Sequence, residues 1–473
     1  SEVDASVLKL QPMARKTACI VQPDFESLKE QGLVIPPVEK RFLALPEPTA
    51  PDNMPDTTRL VGFLKLNHDE HRLAVSLPVI RKLPGVWRSA HCRVTATLVR
   101  PVQPGRKSNI THIDPGDTSE RNFAIAIDIG TTTIYGELID LKTGEVLAEA
   151  ADFNGQISYG EDVITRIVMA EKSGGLEKLN AVVLETMNRI IVKIIRRARV
   201  GREEVSSITI AGNTTLTQLF LKVEPRYIRR SPYVPAATLY PPINAAGLGL
   251  DLGDHVEALV YPQISSYVGG DIVAGVMGSG IYRAEELTLF MDIGTNAEIV
   301  IGNKDWLACA ACSAGPAFEG GGVEFGMRAA QGAIEDFSIH PRTFEPMNIT
   351  IGNVRPKGIC GSGLIIMVAT LFETGIVDSQ GKYHRDLATP RIRENDGVWE
   401  YVVAWRADTQ IDRDIVHPEI DIENLMRAKA AIYSGCQPLL DEVGLDIGMI
   451  ERIVLAGGFG SYIDLEKAMT IGL

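Results

Sequence analysis

Two short stretches of the chain combine residue types that suit a phosphate group. In FAIAIDIGTTTIYG an apolar run ends in Asp128, turns at Gly130 and passes through Thr131, Thr132 and Thr133. In LTLFMDIGTNAEIV an apolar run ends in Asp292 and turns through Gly294, Thr295 and Asn296. Glycine permits a turn tight enough to present successive backbone N–H groups, and the short hydroxyl and amide side chains add donors, so phosphate can be held without lysine. A carboxylate beside a triphosphate is repelled unless a divalent cation stands between them. Asp128 and Asp292 therefore read as direct or water-mediated Mg2+ partners, with orientation of an attacking water as the other role open to them. A third stretch, LAGGFG, ends an apolar run in Gly457, Gly458 and Phe459, where main chain can approach a flat ring or a ribose closely. One Asp-x-Gly-Thr is a common β-turn; two in matched contexts, followed by the glycine turn, point to ATP with Mg2+.

The elements that must carry these turns are legible as a repeat. Each Asp-x-Gly turn joins the first two strands of a three-stranded antiparallel meander, and helices and short strands follow each meander. In the first half Leu176, Leu179, Val183, Met187, Ile190, Ile194 and Ala198 share one helical face before Gly201 stops the helix, and VSSITIAGNTT runs from strand into loop. In the second half Asp421 is a candidate N-cap for the helix IENLMRAKAAIYSG, and ERIVLAGGFG is strand into glycine turn. The expected organisation is a linker or arm over 1–39 with one short helix near Phe25 to Gly32, then a small α+β domain over 40–119. FLALPEP reads as a strand of that domain, Asp56 to Leu66 and LPVIRKLPGVWRS as helices, and CRVTATLV as another strand. After a Pro/Gly/Ser-rich connector comes the nucleotide module over 120–473, with halves at about 120–285 and 286–473.

The 473 residues carry a formal charge of -13 with both signs interspersed, which disfavours nucleic acid and anionic membrane as partners. No stretch approaches the roughly 20 apolar residues needed to cross a bilayer, and the N-terminus lacks the order of a signal peptide, so the expected location is cytoplasmic. Six cysteines are too few and too scattered for a disulfide framework. Cys309 and Cys312 form one C-x-x-C without a second pair, which reads as small buried thiols rather than a metal site.

The order DIGTTT, DIGTN, LAGGFG resembles the phosphate-1, phosphate-2 and adenosine motifs of the actin, Hsp70 and sugar-kinase superfamily. That resemblance implies an α/β fold with two RNase-H-like subdomains around an ATP cleft, here preceded by a small α+β domain and a linker. MRAKAAI is similar to the superfamily helix that contacts adenosine, which nominates Lys429 and, less directly, Arg427. The blocks EKRFLALPEPT, IRKLPGVWRSAHCRVTATL, AGNTTLTQLF, SPYVPA, VGGDIVAG, SAGPAFEGG, GICGSGLI and LAGGFG resemble, in this order and over nearly the whole chain, the reductive activators of corrinoid proteins.

Such an activator is implied to be an ATPase that returns an inactive Co(II) corrinoid on a methyl-transferring partner protein to Co(I). Its partners are then that corrinoid protein and a low-potential electron donor, and a second copy of the chain is allowed. Family members carry an N-terminal [2Fe-2S] domain marked by C-x4-C-x2-C and a distant cysteine; this sequence shows no such run and opens in what resembles the linker after it. Relatives also continue beyond AMTIGL, so truncation at both ends is the simplest expectation. Within the remaining blocks Asn213 and Thr214 could reach the γ-phosphate or its water, Asp271 could be a second Mg2+ ligand, and Glu319 and Ser362 could line the nucleotide cleft. A loop-shaping role stays equally open for each. The competing functions are a small-molecule kinase of the same fold, a chaperone-like or filament-forming ATPase, and a [4Fe-4S] dehydratase activator using Cys309, Cys312 and Cys360.

Overall fold

The computed structural model describes residues 25–32, 36–101, 107–294, 296–457 and 463–473, with backbone only at 25–27, 316 and 319. Two compact units are present, one over residues 24–277 and one formed, among the described residues, by 278–473.

The first unit opens with α1 (Phe25–Glu30) and a four-stranded sheet of order β1-β3-β4-β2, built from β1 (Val38–Ala44), β2 (Leu73–Val75), β3 (Arg93–Val99) and β4 (Ser108–Pro115). The helices α2 (Asp56–His68) and α3 (Leu77–Ser89) bury Leu60, Leu64, Leu83 and Trp87 against it. Of FLALPEP only the part up to Ala44 is strand, because the two prolines after it carry no N–H for a ladder.

A six-stranded sheet of order β7-β6-β5-β8-β10-β9 follows. Its strands are β5 (Phe123–Ile129), β6 (Thr133–Asp140), β7 (Val146–Phe153), β8 (Val205–Gly212), β9 (Ile243–Asn244) and β10 (Glu257–Val260). The near-continuous apolar run of β5 suits a strand flanked on both sides, and Ile125, Ile127 and Ile129 are buried. The helices here are α4 (Val163–Ala170), α5 (Gly175–Ala198), α6 (Thr214–Phe220) and α7 (Gly270–Ser279). Leu179, Val183, Met187, Ile190 and Ile194 of α5 join the isoleucines of β5 in one core, as the helical period requires. Gly136 of β6 lets α5 come close: a Cβ there would stand 2.7 Å from Ile190 Cγ2. The stop of α5 is not Gly201 but Arg199, which takes the left-handed conformation two residues earlier, with its N–H on the Ile195 and Arg196 carbonyls.

The second unit repeats the meander as β11 (Thr288–Ile293), β12 (Ala297–Gly302) and β13 (Leu307–Cys312). Two three-stranded sheets come next, β15-β14-β16 and β17-β18-β19. Their strands are β14 (Ala333–Ile339), β15 (Pro346–Thr350), β16 (Gly358–Ile359), β17 (Ile392–Asn395), β18 (Val398–Ala404) and β19 (Ile415–Pro418). The helices α8 (Gly361–Glu373) and α9 (Glu419–Glu442) share their core, β20 (Arg452–Ala456) completes the first sheet as β13-β12-β11-β20, and α10 (Leu465–Thr470) closes the chain. Asp421 is not the N-cap of α9. Pro418, already extended at the end of β19, precedes the helix, so Asp421 falls inside the first turn and accepts instead from the Glu324 N–H at 3.1 Å.

Four strands of the first half, β7-β6-β5-β8, match β13-β12-β11-β20 of the second. In each, the meander is antiparallel and its first strand pairs in parallel with a later one, β5 with β8 and β11 with β20. Asp128 stands opposite Ala211 and Asp292 opposite Ala456, so Ala211-Gly212 and Ala456-Gly457 are equivalent positions. Among the described residues no helix is long and apolar enough to cross a membrane.

Candidate functional site

In the first unit the side chain of Asp128 is exposed at the end of β5, and the turn after it is held from behind. A Cβ on Gly130 would run into the Thr133 carbonyl oxygen, so only glycine fits. Asn154, 1% exposed, donates Nδ2–H to the Gly130 carbonyl at 2.9 Å and its backbone N–H to Thr132 O at 3.0 Å. Arg166 has no exposed surface and donates through Nη2 to Thr131 O at 2.5 Å. Its Nε reaches Gly160 O at 2.9 Å and its Nη1 the Gln156 Oε1 at 3.3 Å, while burial pushes its pKa down to about 10 against the opposing pull of Asp162. Three successive carbonyls are thus drawn inward. Since C=O and the next N–H are antiparallel across a planar trans peptide, the N–H groups of Thr131, Thr132 and Thr133 point the other way, as an anion-binding turn requires.

The end of β8 lies beside this turn, with Gly212 opposite Ile129. Asn213 is buried, and its Oδ1 accepts from Thr215 N at 2.9 Å, so it caps α6. Gly269 joins it to Asp271: a Cβ on Gly269 would be 2.6 Å from Asn213 Cα and 2.8 Å from Asp271 Oδ1. The Gly270 N–H is held by buried Gln263, whose Oε1 accepts it at 2.9 Å, and this sets the start of α7 with Asp271 in its first turn. Asp128, Gly130, Thr131, Thr132, Thr133, Asn213 and Asp271 therefore belong to one end of one sheet.

In the second unit Asp292 is half-buried and meets Gly457 directly. Gly457 has φ +86°, and a Cβ there would lie 2.5 Å from Asp292 Oδ1 and 3.0 Å from Ile293 O. The carboxylate therefore occupies the space that any other residue at 457 would need. Gly294 donates its N–H to the Asn296 carbonyl at 2.9 Å, closing the turn. Across β12 the partner of Asp292 is buried Glu298, whose side chain shares its face. Thr295, Gly458 and Phe459 lie outside the described residues. Carboxylate, hydroxyl and amide groups at both turns are the hard donors that fit Mg2+ and phosphate.

The remaining candidates are more dispersed. Glu319 ends a short 3-10 segment, Pro316–Glu319. Ser362 opens α8 with its Oγ 3.4 Å from Cys360 Sγ. Lys429 donates Nζ–H to Ile471 O at 2.7 Å, and Arg427 is exposed with its guanidinium 3.6 Å from Glu423. Cys309 and Cys312 are three apart on β13, which sends their sulfurs to opposite faces. Burial and neighbouring Cys436 push the Cys312 thiol up to about 11. Among the described residues no three cysteines come together, so they do not form an iron-sulfur site within one chain. Asn154, Arg166 and Gln263 were not foreseen from sequence, and the one signal for them is polarity at positions that core packing would leave apolar.

Three family models match in succession: the RACo linker region over 27–120, the RACo middle region over 123–284, and the C-terminal domain of RACo, the ASKHA domain, over 286–473. The corrinoid activation enzyme RamQ of Eubacterium limosum is 32% identical over 375 residues, covering 77% of this chain and 62% of that protein. A [Co(II) methylated amine-specific corrinoid protein] reductase of Methanosarcina barkeri is 24% identical over 387 residues, 74% of this chain and 65% of its own length. A solved reductive activator for corrinoid, iron-sulfur protein superposes with TM-score 0.85 at 42% identity, covering 93% of this chain and 69% of that one. The chain thus spans under two thirds of both curated relatives.

Proposed function

This chain belongs to the family of reductive activators of corrinoid proteins, and from that premise we propose that it couples ATP to the return of an inactive Co(II) corrinoid protein to Co(I). The carrying observation is the pair of aspartate turns in matching register, each beside the end of a parallel strand. Bound Mg2+ would neutralise phosphate charge that Asp128 and Asp292 would otherwise repel. Thr131, Thr132 and Thr133 offer N–H and hydroxyl donors to phosphate oxygens, with Gly294, Thr295 and Asn296 as their counterparts. Asp271 is a further carboxylate near the first turn, and Asn213 acts by shaping the loop that presents it. Gly457, Gly458 and Phe459 receive the adenosine, with Glu319, Ser362 and Lys429 as its wider surroundings.

The coupled redox step is a one-electron reduction of cobalt. The electron comes from a low-potential donor, and the work of ATP is to favour the state of the partner complex in which the cobalt accepts it. A [2Fe-2S] centre belongs to this reading only as part of a longer protein, and the cytoplasm as its place of action.

The test is anaerobic: chain, a corrinoid protein held as Co(II) and a chemical low-potential reductant are mixed with and without Mg-ATP, and the corrinoid spectrum is followed. ATP-dependent appearance of Co(I), with phosphate release stimulated by the corrinoid protein, supports the proposal. Phosphorylation of a small acceptor, with no response to the corrinoid protein, refutes it in favour of a kinase.

A further inference from the structure

The opposite end of the strands that carry the first aspartate turn holds a second cluster of polar groups, which nucleotide chemistry does not use. His112 lies on β4 of the small sheet, Glu203 in the 3-10 turn Arg202–Glu204 that leads into β8, and His255 in the turn before β10. The two imidazoles stack with centroids 4.1 Å apart at 33°. His112 is 7% and His255 3% exposed, whereas the Glu203 side chain is 71% exposed and so free to swing.

Each histidine has one nitrogen engaged in the way that frees the other. His255 Nε2 stands 3.0 Å from the Val205 carbonyl, which can only accept, so Nε2 carries the proton and the lone pair is on Nδ1. That buried Nδ1 has no hydrogen-bond partner, and Glu203 Oε2 is 3.9 Å away. His112 Nε2 stands 3.0 Å from Asp114 Oδ1, and the same carboxylate is braced by Thr118 at 3.2 Å and by Lys40 at 3.8 Å. A histidine oriented by a carboxylate through one nitrogen presents the other as a ligand. One ligand atom each from His112, Glu203 and His255 lie within 4.8 Å of one another.

We propose that His112, His255 and Glu203 form a binding site for one zinc-like divalent ion, which clasps the small sheet to the strands bearing the first aspartate turn. Two imidazoles and one carboxylate, with a water as the fourth ligand, suit Zn2+ rather than Mg2+ or Ca2+, which prefer all-oxygen shells. An edge of a tetrahedron with bonds of roughly 2.0–2.1 Å is about 3.4 Å, so the 3.9 Å between His255 and Glu203 closes with a small swing of the exposed carboxylate. The ion would be remote from nucleotide phosphates. β8 separates it from Asn213 by eight residues, Val205–Gly212, or about 25 Å of extended chain.

Untagged chain is freed of metal with a chelator, given one equivalent of Zn2+ or Co2+ and passed through a desalting column. Retention of about one ion per chain, and for Co2+ the visible absorption of a tetrahedral N/O site without sulfur-to-metal charge transfer, is expected. His112→Ala with His255→Ala should lose the ion. Should that variant fail to fold, Glu203→Gln changes only an exposed carboxylate and should weaken binding at least about 10-fold, and Asp114→Asn by roughly 10–100-fold. No retention by folded wild-type chain, retention unchanged in Glu203→Gln and Asp114→Asn, or a charge-transfer band lost on changing Cys309 or Cys312 would each overturn the proposal.

Discussion

The turns after Asp128 and Asp292 occupy the same place in two equivalent sheets, yet they are held by different means. In the first, two buried residues from outside the sheet, Asn154 and Arg166, hold three carbonyls in a row, Gly130 and Thr131 by their side chains and Thr132 by the Asn154 backbone N–H. In the second, the carboxylate rests on a neighbouring strand end where Gly457 leaves room for it. Duplication thus preserved register and the aspartate, while each half found its own way of fixing the loop. The residue paired across the meander differs as well. Tyr135 faces Asp128, its hydroxyl 2.5 Å from a Glu149 oxygen and 3.0 Å from a Glu137 oxygen, whereas Glu298 faces Asp292 across the ladder. A second carboxylate thus comes from the paired strand in the second half and from the first turn of α7, as Asp271, in the first.

The equivalence of the halves is broken most directly at the aspartates. Asp128→Ala and Asp292→Ala should each lower ATP turnover by roughly 10²–10³-fold with the far-ultraviolet circular dichroism unchanged. A variant that keeps full turnover would remove its half from the nucleotide site. The difference in support is tested by Arg166→Met, which leaves the part-buried Thr131 and Gly160 carbonyls without their donor. A loss of about 2–4 kcal/mol in urea unfolding and a raised KM for ATP are expected, since each orphaned acceptor costs about 1–3 kcal/mol. Gly457→Ala should cost about 1–3 kcal/mol through its left-handed backbone and displace Asp292, while Gly212→Ala at the equivalent position, with φ +159°, should cost less. Equal losses in urea titrations of the two alanine variants would contradict the proposed asymmetry.

The smallest effect concerns a buried charge in each half. Burial lowers Arg166 toward neutrality and raises Asp421 from 3.8 to about 6, and only the second lies near physiological pH. Because the folded value of Asp421 exceeds the unfolded one, the folded state binds more protons between about pH 4 and 6. Its contribution to stability is fully present below that window, falls as pH rises through it and is flat above. Asp421→Asn should flatten this slope in thermal melts across the window while keeping the bond from the Glu324 N–H, and an unchanged slope would place the titration elsewhere.

What could be read from the chain was whatever depends on local chemistry. The Asp-x-Gly turns are legible because a strand end that must double back beside a carboxylate leaves room only for glycine, and the paired runs of apolar residues around them carry the sheet. The roles of Arg166 and Asn154 were not legible: they act on carbonyls 35 and 24 positions away, and nothing in their own segments points to those partners. Asp421 and Gly201 were misjudged by the same limit. Asp, Asn and Gly favour helix ends in general, but Pro418 and Arg199 hold those ends because strand and core packing decided where each helix could start and stop. The C-x-x-C pair shows the converse. Its spacing is that of a metal site in a loop, and the strand that contains it turns the two sulfurs apart.

The sequence by itself therefore determined the duplicated sheet, the aspartates at its strand ends and the family, since each follows from residue type and order along the chain. Only the tertiary structure decided how each aspartate turn is braced, that Ala211-Gly212 and Ala456-Gly457 are counterparts, and that His112, Glu203 and His255 meet. Those outcomes rest on contacts between residues far apart in the chain, and contacts of that kind are set by packing, which no local pattern encodes.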